Sequence, residues 1–172
     1  MKLSVAMIVH NGAAYLKEAL ASIYAQSRKA DEIVVWDDGS TDAAPEILSG
    51  EGSRIRWMRE ETNQGAFLAR RAVVEAVTHS RVAFLDSDDR FHRDALSSYE
   101  MIAGHHKEVD LLFGQMRNFF DLPGKKTEEK SPLLWQKGKT PGNLLVKREA
   151  FLAASRRVQG TPRAEVVSWY QA

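Results

Sequence analysis

Apolar residues gather along the chain in six short runs, at 3–9, 32–36, 54–58, 82–85, 111–113 and 142–146. Each has strand length. Between most of them the apolar positions return with helical period instead. Leu16, Ala19, Leu20 and Ile23 stand at i, i+3, i+4 and i+7, with Asn11-Gly12 as a start signal. Ala66, Ala69, Val73, Ala76 and Val77 form another such stripe, and Ala95, Leu96, Tyr99, Ile102 and Ala103 a third. Strand and helix alternating in this way predict an α/β domain with a mostly parallel sheet.

The pattern dissolves between 121 and 139, where "DLPGKKTEEKSPLLWQKGK" holds two Pro and two Gly among its charges. This stretch reads as a mobile loop, either a lid or a solvated insertion. No internal repeat is visible, so residues 1–172 read as a single domain.

Composition narrows the function classes. A length of 172 residues with 44% hydrophobic content suits one compact core. The net charge of +1 gives no field that would favour nucleic acid or an anionic membrane. There are no cysteines, and the five His lack zinc-site spacing, so any metal needs oxygen ligands. The first apolar run breaks at His10 and Asn11, too short for a secretion signal or a membrane span, which makes the cytoplasm the expected location.

The polar clusters fall at the carboxyl ends of the expected strands. "VHNG" follows the first, "DDGSTD" the second, "TNQG" the third and "DSDD" the fourth. Ligands of open α/β sheets bind beyond these ends. In "DSDD", Asp86 and Asp88 are two apart and share a side in extended chain. Paired carboxylates repel unless a cation relieves them, and Mn²⁺ or Mg²⁺ takes such oxygen ligands while keeping positions for phosphate. Capping of a helix starting near His92 is the competing explanation, with Asp89 as the cap. In "DDGSTD", Gly39 permits a tight turn and Ser40, Thr41 or Asp42 can cap the next helix, yet two adjacent acids exceed what a cap needs. Asp38 could accept a hydrogen bond from a uracil imide. Arg70 could face the same rim and balance phosphate or acids, or lie solvated on its helix.

Together "LSVAMIVHNG", "IVVWDDGSTD", "ETNQGAFLARR" and "VAFLDSDD" resemble, in order and spacing, the nucleotide-binding half of family 2 glycosyltransferases with the glycosyltransferase-A fold. The resemblance implies a three-layer α/β/α sandwich, Rossmann-like, that binds a nucleotide-diphosphate sugar, a UDP-sugar first. Residues 1–100 would form the donor half. Ile8, Val9, His10 and Asn11 would surround the nucleoside and Asp38 would meet the base, with Gly65 and Arg70 in the same donor site. Asp86 and Asp88 would be the D-x-D pair, Asp88 on a Mn²⁺ or Mg²⁺ ion and Asp86 on the ribose or metal. His10 stands where members often carry an aromatic residue, and Arg71 where they often carry Asn.

Residues 101–172 would form the acceptor half, in which "GNLLVKREAF" resembles the strand and helix bordering the acceptor. Members usually open a later helix with an acidic pair whose Asp is the catalytic base. Here Glu165 is present but Val166 occupies the place of that Asp, and the acceptor side reads as shortened. The leading expectation is an inverting, metal-dependent transferase acting on an unknown saccharide, lipid-linked or protein acceptor. Peripheral membrane association or a homo-oligomer stays open. The alternative is a transferase-like module that binds nucleotide sugar with little turnover. A phosphoacceptor receiver domain would place its acids after the first and third strands and a Lys late in the sheet, unlike this pattern.

Overall fold

A computed structural model describes residues 1–116, 120–122, 125–127, 136–137 and 140–157. Strands and helices alternate as β1 (Leu3–Val9), α1 (Ala13–Tyr24), β2 (Glu32–Asp38), α2 (Ala44–Gly50), β3 (Arg56–Glu60), α3 (Ala66–Ala76), β4 (Arg81–Asp86) and α4 (Ala95–His105). The chain continues through β5 (Leu111–Phe113), β6 (Gln115–Met116), β7 (Phe120–Leu122), β8 (Lys125–Thr127), β9 (Gln136–Lys137), β10 (Leu144–Lys147) and α5 (Arg148–Arg157).

Six strands form one sheet in the order β3-β2-β1-β4-β10-β5. The first four are parallel, and β10 runs antiparallel to both β4 and β5. Side chains alternate across the sheet, so each strand feeds two cores. Val5, Met7, Val9, Val35 and Leu85 pack with Leu16, Leu20, Leu48 and Leu96 on the side of α1, α2 and α4. Ala6, Val34, Val82, Phe84 and Val146 pack with Val73, Val74 and Phe151 on the side of α3 and α5. Burial on both faces explains why these strands read as continuous apolar runs. The result is the expected three-layer sandwich.

Chain order reverses at β1, because β2 and β3 lie to one side of it and β4 to the other. The crevice beyond the carboxyl ends of β1 and β4 is where open α/β sheets with such a reversal bind their ligands. Register places the two strand ends side by side, with Ile8 between Trp36 and Asp86.

Several boundaries differ from the sequence pattern. The third strand starts at Arg56, after a 3₁₀ turn over Gly52–Arg54. The run at 142–146 is half turn, with Pro141–Asn143 in a 3₁₀ turn before β10. Of residues 121–139, expected as a loop, the described ones lie in strands, β7 pairing antiparallel with β8 and β9 with β6, and the others lie outside the described residues. The helix expected near His92 begins at Ala95, so Asp89 does not cap it. The cap comes from elsewhere: buried Gln26, just past α1, accepts the Leu96 N–H at 3.1 Å and donates to the His92 carbonyl at 2.8 Å. Among the described residues no helix is long and apolar enough to cross a membrane.

Candidate functional site

The first wall of the crevice is a lattice between the loops after β1 and β2. His10 Nδ1 lies 2.8 Å from the Asp38 carbonyl, which can only accept, so Nδ1 carries the proton. Nε2 is then left to accept from Asn11 Nδ2 at 3.2 Å. Asn11 adopts φ 54°, a left-handed conformation that Asn tolerates better than most residues. Three bonds hold it there. Its N–H donates to Ser40 Oγ (3.0 Å), and its Oδ1 accepts from Thr41 N and Oγ1 (2.8 and 3.2 Å).

Behind this lattice, one carboxylate serves the starts of two helices. Asp42 accepts the Ala13 N–H of α1 at 2.8 Å and the Ala44 N–H of α2 at 3.0 Å. Those amides have no partner within their own helices. Asp37 is fully buried, and its Oδ1 accepts the Ser40 N–H at 2.9 Å. Arg59 Nε stands 3.3 Å from Asp37 Oδ2 but is not aligned for a hydrogen bond, so the contact is an ion pair only. Arg59 also donates to the Ser40 carbonyl at 2.7 Å.

Asp38 points to the other side of the sheet. It is 3% exposed, and its oxygens accept the backbone N–H groups of Gln64 (2.8 Å) and Gly65 (2.9 Å). The carboxylate thus clamps the "TNQG" loop to the end of β2. Gly39 makes the approach feasible: it has φ +69°, and an added Cβ would fall 2.7 Å from the backbone of Thr62 and Asn63. Gly65, at φ 92°, then turns the chain into α3.

On α3, Arg70 donates from Nη2 to Asp86 Oδ1 at 3.0 Å, and its Nε is buried without a partner among the described residues. Of the two readings of Arg70, the rim-facing one holds. Arg71 faces outward and pairs with Glu75 at 2.9 Å. Asp86 is partly buried at the end of β4, and Asp88 is exposed just beyond. Asp89 folds back under them, with its N–H on the Asp86 carbonyl at 3.1 Å. Burial, and then the charges of Asp86 and Asp88, push the Asp89 carboxyl up to about 6.

Such mutual repulsion is what a divalent cation relieves, and oxygen donors suit Mn²⁺ or Mg²⁺. No group of three or more His, Asp or Glu converges as a cation site among the described residues. The donors fit an open site, in which Asp86 and Asp88 offer oxygens and phosphate or water supplies the rest.

The structure thus gathers nearly all the sequence-derived candidates. Ile8 and Val9 end β1 with His10 and Asn11 just after it, Asp38 ends β2, Gly65 precedes α3 and Arg70 stands in it, and Asp86 ends β4 with Asp88 just beyond. Val9 is 2% exposed, so its side chain belongs to the core and only its backbone borders the crevice. Glu165 lies outside the described residues. Sequence reasoning passes over Arg59 and Gln26. No local signal marks them, because their partners are far along the chain.

The model of Glycosyl transferase family 2 matches residues 4–157. Glycosyltransferase GlyA of Streptococcus pneumoniae is 35% identical over 127 residues, which cover 72% of this chain and 18% of GlyA. Among solved structures, S. aureus TarS 1–349 in complex with UDP-GlcNAc superposes with a TM-score of 0.70 at 25% identity, over 87% of this chain and 46% of that one. Mannosyltransferase PcManGT from Pyrobaculum calidifontis, in complex with GDP-Man and Mn²⁺, gives a TM-score of 0.69 at 19% identity, a likeness of fold alone, over 98% of this chain and 50% of that one. This chain thus spans half or less of each of these proteins. With the family model covering most of its length, the chain belongs to glycosyl transferase family 2.

Proposed function

We propose that the chain binds a nucleotide-diphosphate sugar in the crevice between β1 and β4, with Mn²⁺ or Mg²⁺ on Asp86 and Asp88, and transfers the sugar to an acceptor with inversion. The observation that carries this reading is the convergence of the β1, β2 and β4 ends on one rim whose acidic edge is incompletely neutralised. The complexes of TarS with UDP-GlcNAc and of PcManGT with GDP-Man and Mn²⁺ support it.

In this reading Ile8, the Val9 backbone, His10 and Asn11 line the nucleoside site. Asp38 keeps one lone pair on each oxygen beyond its two amide bonds, and there accepts from the base imide. Gly65 and Arg70 border the donor beside Asp86. A bound divalent cation supplies positive charge to the diphosphate leaving group. An acceptor oxygen attacks the anomeric carbon opposite the departing diphosphate, and a base takes the acceptor proton; Glu165 is the candidate. The acceptor is a saccharide, a lipid-linked glycan or a protein.

A thermal-shift screen with uridine, guanosine and adenosine diphosphates and their sugars, each with and without Mn²⁺, tests the reading. Uridine compounds should raise the melting temperature most, and only with metal. No shift from any nucleotide diphosphate would refute it.

A further inference from the structure

The short turn leading into β10 reaches the acidic edge of the crevice beside the carboxylate oxygen of Asp86 that Arg70 leaves unbonded. A Cβ added to Gly142 would stand 2.6 Å from Asp86 Oδ2, 3.0 Å from Asp86 Cγ and 3.1 Å from Asp89 Oδ2. Non-bonded heavy atoms prefer separations of roughly 3.5 Å or more, so no side chain fits there without moving a carboxylate. Gly142 is not among the glycines with positive φ. The backbone itself would accept alanine, and what excludes it is the nearness of Asp86.

The turn is firmly placed. The Asn143 carbonyl accepts from Gly114 N at 2.8 Å and from the Tyr99 hydroxyl at 2.5 Å. Asn143 Nδ2 donates to the Gly114 carbonyl at 3.0 Å. Tyr99 and Asn143 are both buried. Asp86 is therefore confined between two walls, with Oδ1 on Arg70 at 3.0 Å and Oδ2 against Gly142. Its side chain still keeps 28% of its surface open.

We infer that Gly142 is a positioning residue for the donor site: its bare backbone, held by Tyr99 and Asn143, fixes the orientation in which Asp86 meets the metal-bound diphosphate. The inference rests on the donor reading above. It gives a chemical task to a residue outside the D-x-D segment and outside the loops of the nucleotide half.

The test is calorimetry of UDP binding, with Mn²⁺ and with chelator, on wild type, Gly142→Ala, Tyr99→Phe and Gly104→Ala. Gly104 is a control because a Cβ there meets nothing within 4 Å. Gly142→Ala should weaken Mn²⁺-supported UDP binding about tenfold to a hundredfold, the range seen when a group that orients a metal ligand is lost. Affinity in chelator should be unchanged, and Gly104→Ala should match wild type throughout. Tyr99→Phe frees the Asn143 carbonyl of one bond and should give a smaller, several-fold loss, again confined to the metal-supported part. If wild-type binding depends on metal but neither variant alters that dependence, the inference is overturned while the donor reading stands. An equal loss with and without metal in Gly142→Ala also overturns it, because the defect would then be general. Should melting show that Gly142→Ala does not fold, Tyr99→Phe decides by the same criteria. Wild type that binds UDP equally without metal overturns the donor reading and this inference together.

Discussion

Replacing Asp38 with alanine separates the carboxylate's structural task from its proposed contact with the base. In the free protein the substitution removes two hydrogen bonds from backbone amides to a charged acceptor, those of Gln64 and Gly65. Bonds to charged groups contribute about 1.5–3 kcal/mol each. The donors sit on a loop whose residues 61–64 are exposed, so water can recover part of what is lost, and each bond belongs at the low end of that range. The sum is about 3 kcal/mol. For a chain of this length the melting temperature should then fall by roughly 6–12 °C, at 2–4 °C per kcal/mol. Asp38→Asn keeps one acceptor and should recover part of the loss. Hydrogen exchange at Gln64 and Gly65 should accelerate most in Asp38→Ala, while exchange in β1 and β4 should rise only as far as the loss of global stability requires. In competition binding, the preference of wild type for uridine over adenosine nucleotides should narrow. Unchanged melting together with unchanged exchange at these two amides would refute the clamp. Base discrimination as sharp as in wild type would remove Asp38 from the nucleoside site.

Asp42→Ala should destabilise by about 2 kcal/mol in urea denaturation, since a lost N-terminal cap costs roughly 1 kcal/mol and this carboxylate serves two helices; a loss below about 0.5 kcal/mol would contradict the double role. Asp89 makes stability fall with rising pH. Its carboxyl is raised to about 6 in the folded chain, against about 3.9 when unfolded, so between those values the native state retains a proton that the unfolded chain has released. The penalty is absent below about pH 4 and complete above about pH 6. Partial exposure to solvent reduces it to about 1 kcal/mol. Without divalent metal, Asp89→Asn should therefore match wild type near pH 4 and exceed it by that amount at pH 8; parallel melting curves across the range would refute the assignment.

Much of this arrangement is legible in the sequence because it depends on neighbours in the chain. The period of Leu16, Ala19, Leu20 and Ile23 predicts α1, and all four are buried there. The apolar runs of β1 and β4 mark strands covered on both faces, and the polar residues that end them mark the crevice. What is not legible depends on distant partners. Asp89 is an adequate local cap, but Gln26 supplies that bond and α4 starts later. Gly142 reads as the start of a strand because its significance lies in its nearness to Asp86, which is remote in the chain. The Gly, Pro and charged residues near 121–139 suggest a loop, whereas strand pairing there is decided by the opposite strand. Arg70 fits either a solvated helix face or the rim until the ion pair with Asp86 settles the choice.

The most direct test of the donor site is isothermal calorimetry of UDP and of UDP-GlcNAc on wild type and Asp88→Asn, in Mn²⁺ and in chelator. Asp88 is exposed beside the partly buried Asp86, so Asn leaves the packing of the fold intact while removing one metal oxygen's charge. Wild type should bind both ligands at least about tenfold more tightly with Mn²⁺, a difference of about 1.4 kcal/mol, and Asp88→Asn should lose that difference while keeping the affinity measured in chelator. Equal affinity with and without metal in both proteins would contradict a metal-supported donor site on the D-x-D segment.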